Sequence, residues 1–328
     1  VNKKLAVVDD EVISIGKITI ERGEHKVINL NVGTLPSGTA IEIKANIFRA
    51  KEPGPCALIL GGVHGDEING VEIVRKSLEE NLFENLLKGS VIAIPLLNIY
   101  GFINFSREVP DGKDVNRSFP GNSTGSLASR VARKLTKDIL PSVNFGLDFH
   151  TGGASRFNYP QIRYSKTDVR AKELGIHFAP PFLIQKPLIT KSLRKVAKDM
   201  NIPIIVYEGG ESVRLDGYSI SKGYEGMKRV LKSQGMLAHA IPANHKVIHT
   251  ANTGWVRAPK SGLFQWTRSS GAFVAKGESM GHIKDPYGNK AAKVIAKRPG
   301  YIIGHNNASV VNHGDALFHL AYDYEVDI

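Results

Sequence analysis

The sequence predicts an α/β protein whose sheet is covered by helices on both faces, followed by an all-β region. Two observations carry that expectation. Between Cys56 and Leu237, continuous apolar runs alternate with amphipathic stretches of helical spacing. This is the pattern of buried strands joined by helical crossovers. Around Pro242 the helical spacing stops, and glycines then punctuate short strand-like segments.

The elements follow in order. Residues 1–50 read as short strands, from the alternation in "KITIER", "KVINLNV" and "IEIKANIF". "CALIL", "SVIAIPLL", "FGLDFH" and "IPIIVYEGG" are the buried strands of the α/β part. "NGVEIVRKSLEENLF", "SLASRVARKLTKDIL", "VRAKELGIHFA", "SLRKVAKDM" and "GYEGMKRVLKSQGML" have helical spacing. Beyond Pro242, Val256, Gly262, Val274, Gly277 and Ile283 line up with Val294, Gly300, Val311, Gly314 and Leu320, at offsets of 38 or 37 residues. That match predicts an internal duplication, and so a small β domain with two similar halves forming a flattened barrel. The expected division is residues 1–242, including the N-terminal strands of 1–50, and residues 243–328.

The chain has 328 residues, of which 42% are hydrophobic and 23% charged, as expected for a globular protein of two domains. No apolar run is long enough to cross a bilayer, so no membrane partner is expected. The segment "VNKKLAVVDDEVISIG" carries acids within its apolar stretch and reads as mature sequence. A single cysteine, Cys56, leaves no internal disulfide and suits a reducing, cytoplasmic compartment. Net charge is +12, but the lysines are scattered and no aromatic-interleaved basic block appears. No nucleic-acid partner is therefore expected. The densest cluster, "KSLRKVAKDM", reads as one solvated helix face. A basic protein that handles small anions fits the charge as well.

In an open α/β sheet, ligands bind beyond the carboxyl ends of the strands. His64 and Glu67 follow "CALIL" in the turn "GGVHGDEING". Arg107, Asp114, Asn116 and Arg117 lie in the long loop after "SVIAIPLL"; "FGLDFH" ends on His150, and "IPIIVYEGG" delivers Glu208. Any one of these has an ordinary reading as a surface pair, core histidine, cap or surface charge. Their joint placement on one sheet edge points to chemistry. Two histidines and a carboxylate suit Zn²⁺ and leave a fourth position for water. Glu208 is placed as a general base, with Glu211 as its rival, and Asp148 as an outer-shell partner of His150.

At these residues the chain resembles the succinylglutamate desuccinylase/aspartoacylase family, a branch of the zinc carboxypeptidase superfamily. The matching pieces are "GGVHGDE", "DVNRSFPG", "DFHTGG" and "YEGGES", with His150 83 residues after Glu67. The resemblance runs over roughly residues 10–325 and implies a zinc-carboxypeptidase-like mixed sheet. It implies one Zn²⁺ per chain, held by His64, Glu67 and His150. Glu208 would activate the attacking water and later protonate the leaving amine. Arg107 would polarise the scissile carbonyl, and Asn116 and Arg117 would clamp a substrate carboxylate. "RFNYPQIRY" is similar to the bacterial predicted-deacylase subgroup. It makes Arg156 and Arg163, on a loop after the metal strand, candidates for a second substrate anion or for the acyl pocket. The C-terminal region resembles a biotinyl/lipoyl-like barrel sandwich. Lys284 and Lys290 lie near its central connection, but the hydrophobic-flanked lysine of a carrier is missing, so a structural domain that walls the active site is expected.

The expected function is removal of an acyl group from an N-acyl amino acid or similar small carboxylate. Two alternatives stand beside it: a metallocarboxypeptidase acting on a small peptide or cell-wall fragment, and a non-catalytic binding or carrier protein. The acyl group and the oligomeric state are left open, a homo-oligomer included.

Overall fold

The structure, a computed structural model, describes residues 12–288 and 291–326. Lys290 lies outside the described residues. The N-terminal strands are β1 (Ile13–Ile15), β2 (Ile18–Ile20), β3 (His25–Thr34) and β4 (Ala40–Arg49). The α/β part then runs β5 (Cys56–Gly61), α1 (Ile68–Glu79), β6 (Ser90–Ile94), α2 (Ile99–Ile103) and α3 (Leu127–Lys134), which continues as a wider π-helical turn over Leu135–Ile139. It goes on through β7 (Phe145–Gly152), β8 (Arg156–Tyr164), α4 (Val169–Phe178), β9 (Phe182–Gln185), α5 (Leu193–Asp199), β10 (Ile204–Glu211) and α6 (Gly217–Ser233). The C-terminal strands are β11 (Ile248–Thr250), β12 (Asn252–Arg257), β13 (Gly262–Trp266), β14 (Phe273–Val274), β15 (Ser279–Lys284), β16 (Ala291–Ile295), β17 (Gly300–Asn306), β18 (Val310–Val311), β19 (Ala316–Tyr322) and β20 (Glu325–Val326).

The large sheet is mixed, with the central order β12-β19-β17-β8-β10-β7-β5-β6-β4-β3. Its heart is four parallel neighbours, β10, β7, β5 and β6. These are the four apolar runs of the sequence, and their side chains alternate between two cores. Leu58, Leu60, Ile92 and Ile94 enter one core, and Ala57, Ile59, Val91 and Ala93 enter the other. Helices α1, α4 and α6 pack over the second core, which takes in Ile73, Leu174 and Met227. Helices α3 and α5 cover the first with Val131 and Leu193. No helix among the described residues is long and apolar enough to cross a membrane.

One expectation fails. "RFNYPQIRY" is a nine-residue strand, β8, and not a loop. It runs antiparallel to β10 on one side. On the other side its first residues pair with β17 and its last with β9. Pro160 and the two arginines disguise it in the sequence, but both flanks of the strand are occupied, so the extended backbone satisfies its hydrogen bonds.

The C-terminal repeat appears as symmetric strand pairing. β12 to β15 correspond in order to β16 to β19. Exchanging the two sets maps β12–β19 onto β15–β16, β13–β15 onto β17–β19, and β13–β18 onto β14–β17. The matched residues share their environments. Val274 and Val311 are both buried, as are Ile283 and Leu320. Gly277 and Gly314 take φ of 86° and 88°, a left-handed turn geometry that favours glycine.

Candidate active site

The parallel arrangement of β5, β6, β7 and β10 brings their carboxyl ends to one edge. The turn after β5 carries His64, and Glu67 immediately precedes α1. His150 sits near the end of β7, in register with Glu208 on β10. The loop after β6 folds Arg107 and Asp114 back over this edge. The result is a cavity of about 250 Å³ lined by His64, Glu67, Arg107, His150, Arg163 and Glu208, among others.

Ligand atoms of His64, Glu67 and His150 lie within 4.8 Å of one another, and all three residues are buried. His64 Nδ1 is 2.7 Å from Glu67 Oε1, 3.1 Å from His150 Nδ1 and 3.1 Å from Arg107 Nη1. His150 Nδ1 is in turn 2.8 Å from Glu67 Oε2. One ring nitrogen cannot both donate to the carboxylate and accept from the guanidinium. The cluster instead brings three possible ligand groups together, an arrangement that a cation would satisfy. The nitrogen, nitrogen and oxygen donor set fits Zn²⁺.

Each imidazole has a carboxylate on its other nitrogen. His150 Nε2 is 3.0 Å from Asp148, and His64 Nε2 is 3.2 Å from Asp114. Asp114 makes a hydrogen bond with His64 Nε2, which favours the tautomer that presents Nδ1, whereas Asp148 stands at ion-pair distance from His150 without hydrogen-bond geometry. Burial works against charge on the His150 ring, but Asp148 and Glu67 reverse this and raise its pKa well above the ordinary range. Burial likewise opposes ionised Glu67, yet His64 and His150 hold its pKa well below the usual carboxylate range. A ligating ring nitrogen must be free of its proton, so a metal bound here would displace protons.

Glu208 faces the same cavity. Arg163 Nη1 donates to its Oε1 at 2.7 Å and Asn158 Nδ2 to its Oε2 at 2.8 Å. Glu211, the rival base, does not line the cavity and instead accepts from Asn307. Arg107 is gripped by two carboxylates, with Nη1 3.0 Å from Glu67 and Nη2 3.0 Å from Asp114. Asn116 Oδ1 accepts from the Leu193 N–H at the start of α5, which leaves its amide nitrogen free to donate. Arg117 and Arg156 are exposed residues at the cavity rim.

The reading of "KSLRKVAKDM" as a solvated face is corrected at Arg194. This residue lines the cavity, and its Nη1 is buried without a hydrogen-bond partner among the described residues. Burial, reinforced by nearby Arg163, pushes its pKa down to about 10. The one available signal was Ser192, which caps α5 and so marks where the helix begins. Trp255 was also missed. It brings β12 to the cavity wall and stacks on the buried ring of His319, centroids 4.6 Å apart and planes within 8°.

Comparison with known proteins places this architecture. The succinylglutamate desuccinylase/aspartoacylase catalytic-domain profile matches residues 53–234, and the chain belongs to that family. An N-alpha-acetyl-L-2,4-diaminobutyric acid deacetylase from Halomonas elongata is 27% identical over 295 residues, 85% of each chain. A product-bound structure of the ectoine utilization protein EutE (DoeB) from Ruegeria pomeroyi superposes with a TM-score of 0.80 at 22% identity, covering 91% of this chain and 94% of that one. A succinylglutamate desuccinylase/aspartoacylase from Rhodobacter sphaeroides gives a TM-score of 0.79 at 24% identity, over 93% and 96%. These two structures share the fold.

Proposed function

We propose that this protein is a zinc-dependent hydrolase that removes the acyl group from a small N-acyl amino acid. The observation that carries the reading is the meeting of His64, Glu67 and His150 with Glu208 and Arg107 in one cavity. The deacetylase relative supports it. Zinc bound by the three ligands, one ion per chain, would supply a Lewis acid and lower the pKa of water.

The chain's own residues supply the rest. Glu208, oriented by Arg163 and Asn158, takes the proton of the attacking water and returns it to the leaving nitrogen. Arg107 stabilises the developing oxyanion, an effect on the order of 3 kcal/mol. Asn116 and Arg117 receive a substrate carboxylate through guanidinium and amide donors. Arg117, Arg156 and Arg194 line the cavity with no carboxylate partner among the described residues. That surplus favours a substrate with more than one carboxylate. The cavity of about 250 Å³, walled by Trp255, favours small acyl-amino acids over peptides. We also propose the division at 242/243, supported by a separate core of Val256, Phe264, Ile283, Val294 and Leu320.

The test is a hydrolysis screen of zinc-loaded protein. N-acetyl and N-succinyl amino acids, N-acetyl-2,4-diaminobutyrate and dipeptides are compared. Acyl-amino acids with an extra carboxylate are expected to turn over fastest. Glu208→Gln is expected to keep its zinc and lose about 10²- to 10⁴-fold in kcat. Dipeptides as the best substrates would move the assignment to a carboxypeptidase, and full activity in Glu208→Gln would remove Glu208 as the base.

A further inference from the structure

A second cavity, of about 470 Å³, lies between α3 and strand β3. None of its lining residues lines the catalytic cavity. Arg130, Arg133, Lys134 and Lys137 all face it, and their spacing of three, four and seven residues puts them on one helical face. The opposite face, with Ala128, Val131, Ala132 and Leu135, is buried in the core.

The cavity has built features beyond a basic helix. Lys134 is paired with Asp138 at 3.1 Å, but Arg130, Arg133 and Lys137 make no ion pair among the described residues. Arg130 Nε is buried and has no hydrogen-bond partner among the described residues, and the same holds for the hydroxyl of Tyr100, a residue only 4% exposed. The Arg130 guanidinium approaches Gly33, where β3 carries a bulge, while Tyr100 lies on the inner side of that strand and does not line the cavity. A side chain at Gly33 would place its Cβ 2.7 Å from the Tyr100 hydroxyl and 3.8 Å from Arg130 Nη2. Glycine at φ 151° is what lets the strand pass this close. Of the two groups, the Arg130 nitrogen belongs to a residue that lines the cavity, and a buried, unpaired guanidinium nitrogen is costly unless a ligand or water satisfies it.

We propose that this cavity binds a small polyanion of the diphosphate class. Guanidinium forks match phosphate oxygens in bidentate geometry, and a flexible lysine completes the charge. Three uncompensated cations balance an anion of that charge. The cavity is larger than one phosphate needs, so an organic group can accompany the diphosphate. Its concave floor and the carboxylate of Asp138 within it favour a small anion over a nucleic-acid backbone.

The test is calorimetric titration of the full chain with inorganic pyrophosphate and with ADP. Wild type is compared with Arg130→Gln/Lys137→Gln and with Arg163→Gln, which alters the catalytic cavity. Anion capture at the catalytic site is common to wild type and the double variant, so their difference isolates this cavity. Binding is expected to survive in Arg163→Gln and to weaken about tenfold or more in the double variant. Lys137 is exposed, so Lys137→Gln alone provides a folded variant with a loss of roughly three- to tenfold. Tighter binding of ADP makes a nucleotide the source, and equal affinity makes free polyphosphate the source. Unchanged affinity in both the single and the double variant, or binding lost only in Arg163→Gln, overturns the site. Preferential, steeply salt-dependent binding of mixed-sequence DNA overturns it in favour of a nucleic-acid surface.

Discussion

Asp148 and His150 stand two residues apart on β7, and the Asp148 carboxylate lies 3.0 Å from His150 Nε2. Period-two geometry puts both side chains on one face of the strand. The approach, at ion-pair distance, therefore follows from local sequence alone and leaves Nδ1 facing Glu67 at 2.8 Å. Replacing Asp148 with Asn keeps the shape and removes the charge. Zinc affinity is expected to fall about 10- to 100-fold, measured by competition with a chromophoric chelator. Wild-type affinity in Asp148→Asn would mean that the aspartate is not orienting the ligand.

Gly65 lies between two of the proposed ligands and packs against α2. A Cβ there would sit 2.0 Å from the carbonyl carbon of Gly101 and 2.1 Å from the Phe102 nitrogen. Both contacts are backbone, so neither can swing aside. Gly65→Ala is expected to lose about 1–3 kcal/mol of stability through overpacking. It should also bind zinc less than stoichiometrically. Thermal melting and elemental analysis read the two effects, and a variant matching wild type in both would contradict the packing.

Arg194 carries opposite costs for folding and binding. Its buried Nη1 has no hydrogen-bond partner among the described residues, and a substrate anion would supply one. Arg194→Met is expected to raise KM about 10- to 100-fold, the loss of a charge-assisted hydrogen bond worth about 1.5–3 kcal/mol, with little change in kcat. The same variant should melt higher, by roughly 2 °C per kcal/mol regained. A fall in kcat at constant KM would instead place Arg194 on the reacting atoms.

His305 gives the stability of the C-terminal region a pH dependence. Its ring is buried beside Ser270, with Nδ1 2.7 Å from the hydroxyl. Burial lowers its pKa from 6.5 to about 4. Between those values the unfolded chain holds a proton that the folded chain does not. The full stabilisation is present above pH 6.5 and is lost as pH falls towards 4, amounting to about 3 kcal/mol. Urea titrations from pH 7 to 4 should show a flatter decline in His305→Gln than in wild type. Parallel declines would show that His305 is not the group responsible.

The parallel strands were legible because each is a short apolar run, with ionisable residues at or beyond its carboxyl end, as in "CALIL" before His64 and "FGLDFH" itself. Gathering His64, Glu67 and His150 within 4.8 Å follows from the adjacency of β5 and β7. β8 was not legible. Its nine residues contain a proline and two arginines, and its extended form depends on β10, β9 and β17, all distant in sequence. Arg194 was hidden for a different reason. Helical spacing shows which residues share a face, but the docking of α5 decides where that face looks. The partnership of Asp114 with His64 spans 50 residues of sequence and a loop without periodicity, so only the folded chain reveals it.

The pairing of β8 with β17 sets the order in which this molecule can be completed during synthesis. Asn158, which holds Glu208, is paired with Gly304. β17 is itself held by β14 and β19, from both halves of the repeat. While the ribosome is still adding residues 252–284, the first half has neither outer strand from the second. The Arg156–Asn158 edge of β8 stays open until residue 306 has emerged. The strand that holds Glu208, the proposed base, therefore has its outer edge covered only by chain made after both proposed metal-ligand strands.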